Sequence, residues 1–160
     1  MKEIQQLNNT DLTWAHQLNQ QHATELSSVT CTEFRKMCND SFYARALEKE
    51  AGFLLGFDQS APYNSPNFLW FKNRLDKFVY IDRVVIAKIM RGQGLAKALY
   101  EDLFVVAKSA GYKHICCEIN LDPPNPISIQ FHQKLGFEQQ GKATLSQSNK
   151  TVAYFTKHLV

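Results

Sequence analysis

The stretch from Phe78 to Gly111 constrains the fold more than any other part of the chain. The stretch Phe78 to Ala87 is rich in aromatic and β-branched residues over ten positions, which predicts a long strand buried on both sides toward its C-terminal end. The segment Arg91-Gly92-Gln93-Gly94-Leu95-Ala96 follows, and then Leu95, Leu99, Leu103, Val106 and Ala110 recur at steps of three and four. That spacing predicts a helix from about Gly94 to Ala110, stopped by Gly111. A second strand from His114 to Asn120 completes a strand, glycine turn, helix, strand unit.

The flanks fit a mixed α/β layered sheet around this unit. Glu3 to Leu7 reads as a short strand, and Asp11 is placed to cap a helix with apolar positions Leu12, Ala15, Leu18 and His22. A second helix starts at Thr30 or Thr32. Phe42 to Glu48 and Gly52 to Phe57 form a hairpin through Glu48 to Ala51. Asp58 to Asn67 contains Pro62, Asn64, Ser65 and Pro66 and reads as a loop before the aromatic cluster Phe68, Trp70 and Phe71. Asp122 to Pro126 is a proline-rich turn, Ile127 to Leu135 a short helix ended by Gly136, and Phe137 to Ala143 pairs with Thr151 to His158 across Ser146 to Lys150. The pattern shows no internal repeat and no second domain, so residues 1–160 read as one unit.

Composition removes several function classes. The chain has 160 residues, 44% hydrophobic and 21% charged, enough to bury a core without metal or disulfide support. Its 18 basic and 15 acidic residues give a net charge of +3 and are interspersed, which argues against nucleic acid as a partner. Cys31, Cys38, Cys116 and Cys117 form no C-x-x-C pair, so neither zinc nor redox chemistry is indicated. Cys116 and Cys117 point to opposite faces of one strand and read as core thiols. A polar Met1 to Asn9 and the lack of a long apolar run point to a cytoplasmic chain with no membrane partner.

The glycine segment is where chemistry is expected. Glycines let the backbone turn sharply and approach a ligand, while the first turn of the helix offers unpaired N–H groups with partial positive charge behind them. A phosphate fits that position, with Lys88, Arg91 and Lys97 nearby in sequence. The segment lacks the Gly-Lys-Ser/Thr ending of a P-loop and the third glycine of a dinucleotide fingerprint.

Two blocks in order resemble the GNAT superfamily of acyl-CoA N-acyltransferases. Arg91-Gly92-Gln93-Gly94-Leu95-Ala96 matches the family's R/Q-x-x-G-x-G/A signature. Asn125, Ser128, Phe131 and Leu135-Gly136-Phe137 match its N-x-x-S-x-x-F-Y-x-x-x-G-F ending. The resemblance runs from about Tyr80 to Phe137. It implies a central, mostly antiparallel twisted sheet of about six or seven strands, with a parallel pair splayed at the cofactor site and helices on both faces. It also implies acetyl-CoA as donor, with its pyrophosphate on the amides of Gln93, Gly94, Leu95 and Ala96. Arg91, Gly92 and Lys97 would frame that group, and the pantetheine arm would lie along Val84, Val85 and Ile86. Asn125 would bond the arm or position the helix that carries Ser128. No metal is implied, and a homodimer is compatible with the pattern.

One position departs from the family: His132 stands where a tyrosine is usual. Histidine titrates near neutrality and can serve as the acid that meets a departing thiolate; a packed helix residue is the alternative reading. For the proton lost by an amine acceptor, Asp82 and Glu118 are the candidate bases, since an acid inside an apolar strand must be paired or titrate upward. Strict alternation would put Asp82 on one face with Tyr80, Val84 and Ile86, and Glu118 with His114, Cys116 and Asn120. An ion pair with Arg83 is the alternative for Asp82. The aromatics Tyr63, Phe68, Trp70 and Phe71 form either an acceptor pocket or core packing. The expectation is an N-acetyltransferase acting on a small-molecule or peptide amine; the rival is a non-catalytic acyl-CoA sensor.

Overall fold

A computed structural model describes residues 3–160. Strand β1 (Ile4–Gln6) leads into helices α1 (Leu12–Gln21), α2 (Ala23–Leu26) and α3 (Cys31–Asp40). The hairpin β2 (Tyr43–Leu47) and β3 (Gly52–Asp58) precedes α4 (Pro66–Lys72). Then come β4 (Phe78–Ile86), α5 (Leu95–Ser109), β5 (His114–Asp122), α6 (Pro126–Lys134), β6 (Glu138–Leu145) and β7 (Lys150–His158). The seven strands form one sheet in the order β1-β2-β3-β4-β5-β7-β6. Every neighbouring pair is antiparallel except β4 and β5.

Helices cover both faces. On one, Leu99, Leu103 and Ala107 of α5 pack on Val79, Ile81 and Ile115, with α6 alongside. On the other, Ala15 and Phe34 of α1 and α3 meet Phe53 and Val85, while Phe68 and Phe71 of α4 meet Phe57, Phe78 and Tyr80. Cys116 and Cys117 fall in opposite cores, as their adjacency on a strand requires.

Three local expectations need correction. Helix α4 occupies the aromatic stretch expected to follow a plain loop: Ser65 precedes it, Pro66 opens it, and Phe68 and Phe71 share its buried face at i, i+3. Asp11 makes no cap bond to α1; its carboxylate instead accepts from the Asn8 N–H and the Trp14 indole, both at 3.0 Å. The helix that does carry a capping box is α3, where Thr30 and Glu33 satisfy each other's backbone N–H groups.

The third correction concerns β4. Leu55 pairs with Arg83 but Gly56 pairs with Ile81, so Asp82 is an extra residue, a β-bulge that breaks the alternation of faces. Tyr80 therefore faces the α4 core while Val84 and Ile86 face the α5 core. The bulge lies where β4 and β5 stop pairing: only Phe78, Val79 and Tyr80 are matched, with His114, Ile115 and Cys116. Beyond those pairs the two strands diverge.

The spacing of β3 against β4 is fixed by Gly52, where an added Cβ would lie 2.4 Å from the Val85 carbonyl oxygen and 2.8 Å from Ile86 Cδ1. Gly52→Ala should therefore destabilise the fold by about 1–3 kcal/mol. Urea unfolding checks this, and a midpoint equal to the parent's would show that the strands can separate there at no cost.

Candidate active site

A cleft of 670 Å³ runs between the C-terminal half of β4, the start of α5 and the face of α6. At one end the chain leaves Ile86 through a single 3-10 turn and enters α5 by way of Gly92 (φ 82°) and Gly94 (φ 72°). Both sit in the left-handed region where glycine is the natural residue. At Gly92 an added Cβ would meet nothing within 4 Å, so that position is dictated by backbone angle and not by crowding. Gly94 is the N-cap of α5 and makes no side-chain cap bond. The first-turn N–H groups of a fifteen-residue helix thus open toward the cleft, with the dipole favouring an anion.

The sequence-predicted residues Val84, Val85, Ile86, Arg91, Gly92, Gly94, Leu95, Ala96 and Lys97 line this cleft together, as do Asn125, Ser128 and His132. Gln93 is exposed and its side chain stays outside the lining, as does Lys88. Arg91 is tethered: its Nε donates to the Ile86 carbonyl at 3.2 Å, and its guanidinium lies 2.9 Å from His22 Nε2. His22 Nδ1 is 3.1 Å from the Leu18 carbonyl, which fixes the proton on Nδ1 and leaves Nε2 to accept from Arg91.

A second cavity of 210 Å³ occupies the gap between the diverging strands, sharing Leu26, Val84, Tyr100, Asn125, Ser128 and His132 with the cleft. Asp82 and Glu118 both line it, but in different states. Asp82 has both oxygens engaged, Oδ1 by the Tyr63 hydroxyl at 2.7 Å and Oδ2 by Arg83 Nε at 3.1 Å. Burial pushes its carboxyl up, against the pull of the Arg83 charge and the Tyr63 bond. The ion pair with Arg83 is thus realised. Arg83 also donates to Asn19 Oδ1 at 2.8 Å and to the carbonyl and hydroxyl of Ser27, both at 3.0 Å.

Glu118 has a different environment. Its Oε1 accepts from the Tyr80 hydroxyl at 2.6 Å. Burial pushes its carboxyl up to about 7; the Tyr80 bond opposes that rise and the Asp82 charge adds to it. A carboxyl held there can take or give a proton near neutrality.

His132 is buried, at 6% exposure, and both ring nitrogens are occupied. Nδ1 lies 2.7 Å from the Ser128 carbonyl, which can only accept, so Nδ1 carries the proton. Nε2 then accepts from the Tyr100 hydroxyl at 2.8 Å. Burial lowers the affinity of the ring for a second proton, with the Ser128 carbonyl opposing. Ser128 and His132, one turn apart, share a face of α6, and Asn125 Oδ1 caps the helix by accepting from Ser128 N–H at 3.2 Å. Sequence reasoning missed Tyr100, which sits beside the apolar stripe on α5 and reads as one more core aromatic until α6 packs across it. It also missed Tyr80 and Leu26. Only the aromatic character of the long strand hinted at Tyr80.

Phe68 and Phe71 are wholly buried packing residues. Tyr63 and Trp70 do more: Tyr63 holds Asp82, and Trp70 stacks on Tyr154 with centroids 4.3 Å apart. Among the described residues no group of three or more His, Cys, Asp or Glu is placed to hold a metal ion, and no helix is long and apolar enough to cross a membrane. Burial raises the thiols of Cys116 and Cys117 well above their usual range, which makes them poor nucleophiles.

Comparison with solved structures finds the same fold in the ribosomal-protein-S18-alanine N-acetyltransferase of Escherichia coli. The identity is 17%, with 99% of this chain and 94% of that chain covered and a TM-score of 0.74. Ard1 of Thermoplasma volcanium matches at 14% identity, 99% and 98% coverage and a TM-score of 0.78. An aminoglycoside 6'-N-acetyltransferase complexed with coenzyme A matches at 14% identity, 99% and 97% coverage and a TM-score of 0.74. No curated protein matches the sequence significantly. The model of the Acetyltransferase (GNAT) family matches residues 3–137, which spans the divergent strand pair, the glycine turn and the helix after it: the chain belongs to the GNAT acetyltransferase family.

Proposed function

We propose that this chain is an N-acetyltransferase that moves an acetyl group from acetyl-CoA to a primary amine by direct transfer. One observation carries the reading: a cleft that begins at the amide-rich entrance of α5 ends at a strand gap where Glu118 titrates near neutrality. The donor supplies the activated thioester. The chain's amides at Gln93, Gly94, Leu95 and Ala96 hold the pyrophosphate, with Arg91 and Lys97 adding charge. The backbone of Val84, Val85 and Ile86 faces the pantetheine arm, and Asn125 and Ser128 close the other wall. Glu118 takes the amine proton, directly or through water. Asp82, committed to Arg83 and Tyr63, positions the strand and loops around it. At the leaving group, the Tyr100 hydroxyl, positioned by His132 Nε2, turns to hydrogen-bond the departing thiolate, which takes up, directly or through water, the proton that Glu118 removed from the amine. The neighbours named as N-acetyltransferases, one of them complexed with coenzyme A, support the reaction class.

Acetyl-CoA titrated into the purified chain, followed by thiol release with a panel of amines, tests this reading. Saturable binding without turnover of any amine returns the chain to the sensor reading. Gly94→Ala places a side chain in a left-handed position, a strain of roughly 1–2 kcal/mol, and a methyl group on the phosphate approach. It should fold and bind acetyl-CoA at least about tenfold more weakly, a loss of about 1.4 kcal/mol.

Glu118 makes a pH prediction with two readouts. As a base it must be ionised, so kcat should rise with pH along a limb centred near 7, at the same pH for acceptors of different basicity. Glu118→Gln should abolish that limb. The folded carboxyl binds its proton more tightly than the unfolded one, whose ordinary value is 4.5. Its contribution to stability is therefore full below about 4.5 and is lost as pH rises toward 7. Glu118→Gln should thus raise the unfolding midpoint at pH 8 relative to the parent and have little effect at pH 4.

If His132 and Tyr100 act as a unit, His132→Phe and Tyr100→Phe should each lower kcat at least about tenfold and leave the affinity for acetyl-CoA unchanged. The double variant should be no slower than the worse single one. Independent, additive losses, or parental kcat in either folded variant, would dissolve the pair.

A further inference from the structure

The two joined cavities differ in the charged side chains that line them. Arg91 and Lys97 line the cleft near the start of α5. In the strand gap the charged side chains are Asp82 and Glu118, and no lysine or arginine lines it. The guanidinium next to the gap, that of Arg83, is 5% exposed and is consumed by Asp82, Asn19 and Ser27. Glu118 has a tyrosine hydroxyl as its partner and Asp82, another acid, as its charged neighbour. His132 has no N–H left to offer, since Nδ1 serves the Ser128 carbonyl and Nε2 accepts from Tyr100.

An acceptor amine must come within reach of Glu118 to react, and a gap of 210 Å³ reads the groups bonded close to that amine. A carboxylate on the carbon beside it would enter next to Glu118, an acid with no cation of its own, and the one guanidinium beside the gap is already held by Asp82. Burying a charge without a partner is strongly unfavourable, and placing it beside like charges adds to the penalty. An ammonium group arriving alone meets the Glu118 carboxylate and carries no such penalty.

We propose that the acceptor is a primary amine whose neighbouring carbon bears a neutral group, as at a peptide N-terminus, and that free α-amino acids are excluded by the charge of the gap. This rests on the N-acetyltransferase reading. The test uses the full chain, acetyl-CoA and matched pairs: alanine with alaninamide, serine with serinamide, and methionine with methioninamide. Because the amide group lowers the proton affinity of the amine beside it, kcat/KM is measured across pH and referred to the unprotonated amine of each compound. The amide of each pair should exceed the acid by at least about 30-fold, about 2 kcal/mol, the low end of what like-charge juxtaposition imposes. Equal values, or preference for the acids, would overturn the proposal and leave the enzyme reading intact. No turnover of either member of any pair would overturn it as well, and acetyl-CoA binding without turnover of any amine would remove the enzyme reading with it.

Discussion

The pairing of β4 with β5 ends at Tyr80 and Cys116, and the site depends on that ending. Two parallel strands inside a sheet ordinarily satisfy each other's backbone groups along their whole length. Here the pairing stops while both strands continue, β4 to Ile86 and β5 to Asp122. Each remains anchored on its outer side, β4 by β3 and β5 by β7. The gap between them is therefore held open by two rigid hairpin-like pairs and does not depend on a flexible loop. Groups set on its rim keep their geometry, which is what a site for group transfer needs.

The bulge at Asp82 turns this opening into a polar site. Without the extra residue, Tyr80 and Arg83 could not both face the α1 and α4 side, because three positions along a strand reverse the face. With it, Asp82 reaches Tyr63 in the β3 to α4 connection, and Arg83 reaches Asn19 and Ser27 around α2. Two connections on the α1 and α4 side are thereby tied to the central strand through one buried ion pair. Removing either partner would strand a charge in the core, so the pair is better understood as specifying the arrangement of these segments than as adding net stability. Glu118, facing the same space without a cation, keeps the raised proton affinity that Asp82's arrangement opposes.

Much of this was legible in the sequence, and the limits have physical causes. The α5 stripe, the glycine entrance, a helix start at one of the two threonines Thr30 and Thr32, and the succession of strands along the chain follow from local periodicity and capping, which are short-range properties. The glycine-turn wall of the cleft was legible for the same reason: Arg91, Gly92 and Gly94 to Lys97 sit close together around one turn. The faces of β4 were not, because a bulge is created by the register with β3 and has no local signal in Ile81-Asp82-Arg83. Helix α4 was hidden by the prolines before it, although Pro66 is well suited to a first helical turn. Tyr80, Tyr100 and Leu26 were missed because each becomes a site residue only through a partner far away in sequence.

The departure from the family at residue 132 gains its meaning from that long-range packing. An imidazole is shorter than a phenol, so histidine alone would leave a hydroxyl-sized gap on the α6 face. Tyr100, one residue from the apolar stripe of α5, brings a hydroxyl to 2.8 Å from His132 Nε2, and the aromatic rings of Phe131 and Phe137 enclose the histidine edge to face. The Ser128 carbonyl fixes the tautomer from the other side. The polar atoms are thus supplied by two helices where the family pattern uses one side chain, and neither helix could place the hydroxyl alone. Such an arrangement is intolerant of rotation of α5 against α6, since a shift of the order of 1 Å would take the hydrogen bond out of range. The same two helices form walls of the 670 Å³ cleft. Filling that cleft with any ligand therefore acts on the very contact that sets His132, because the cleft and the Tyr100–His132 bond share both helices.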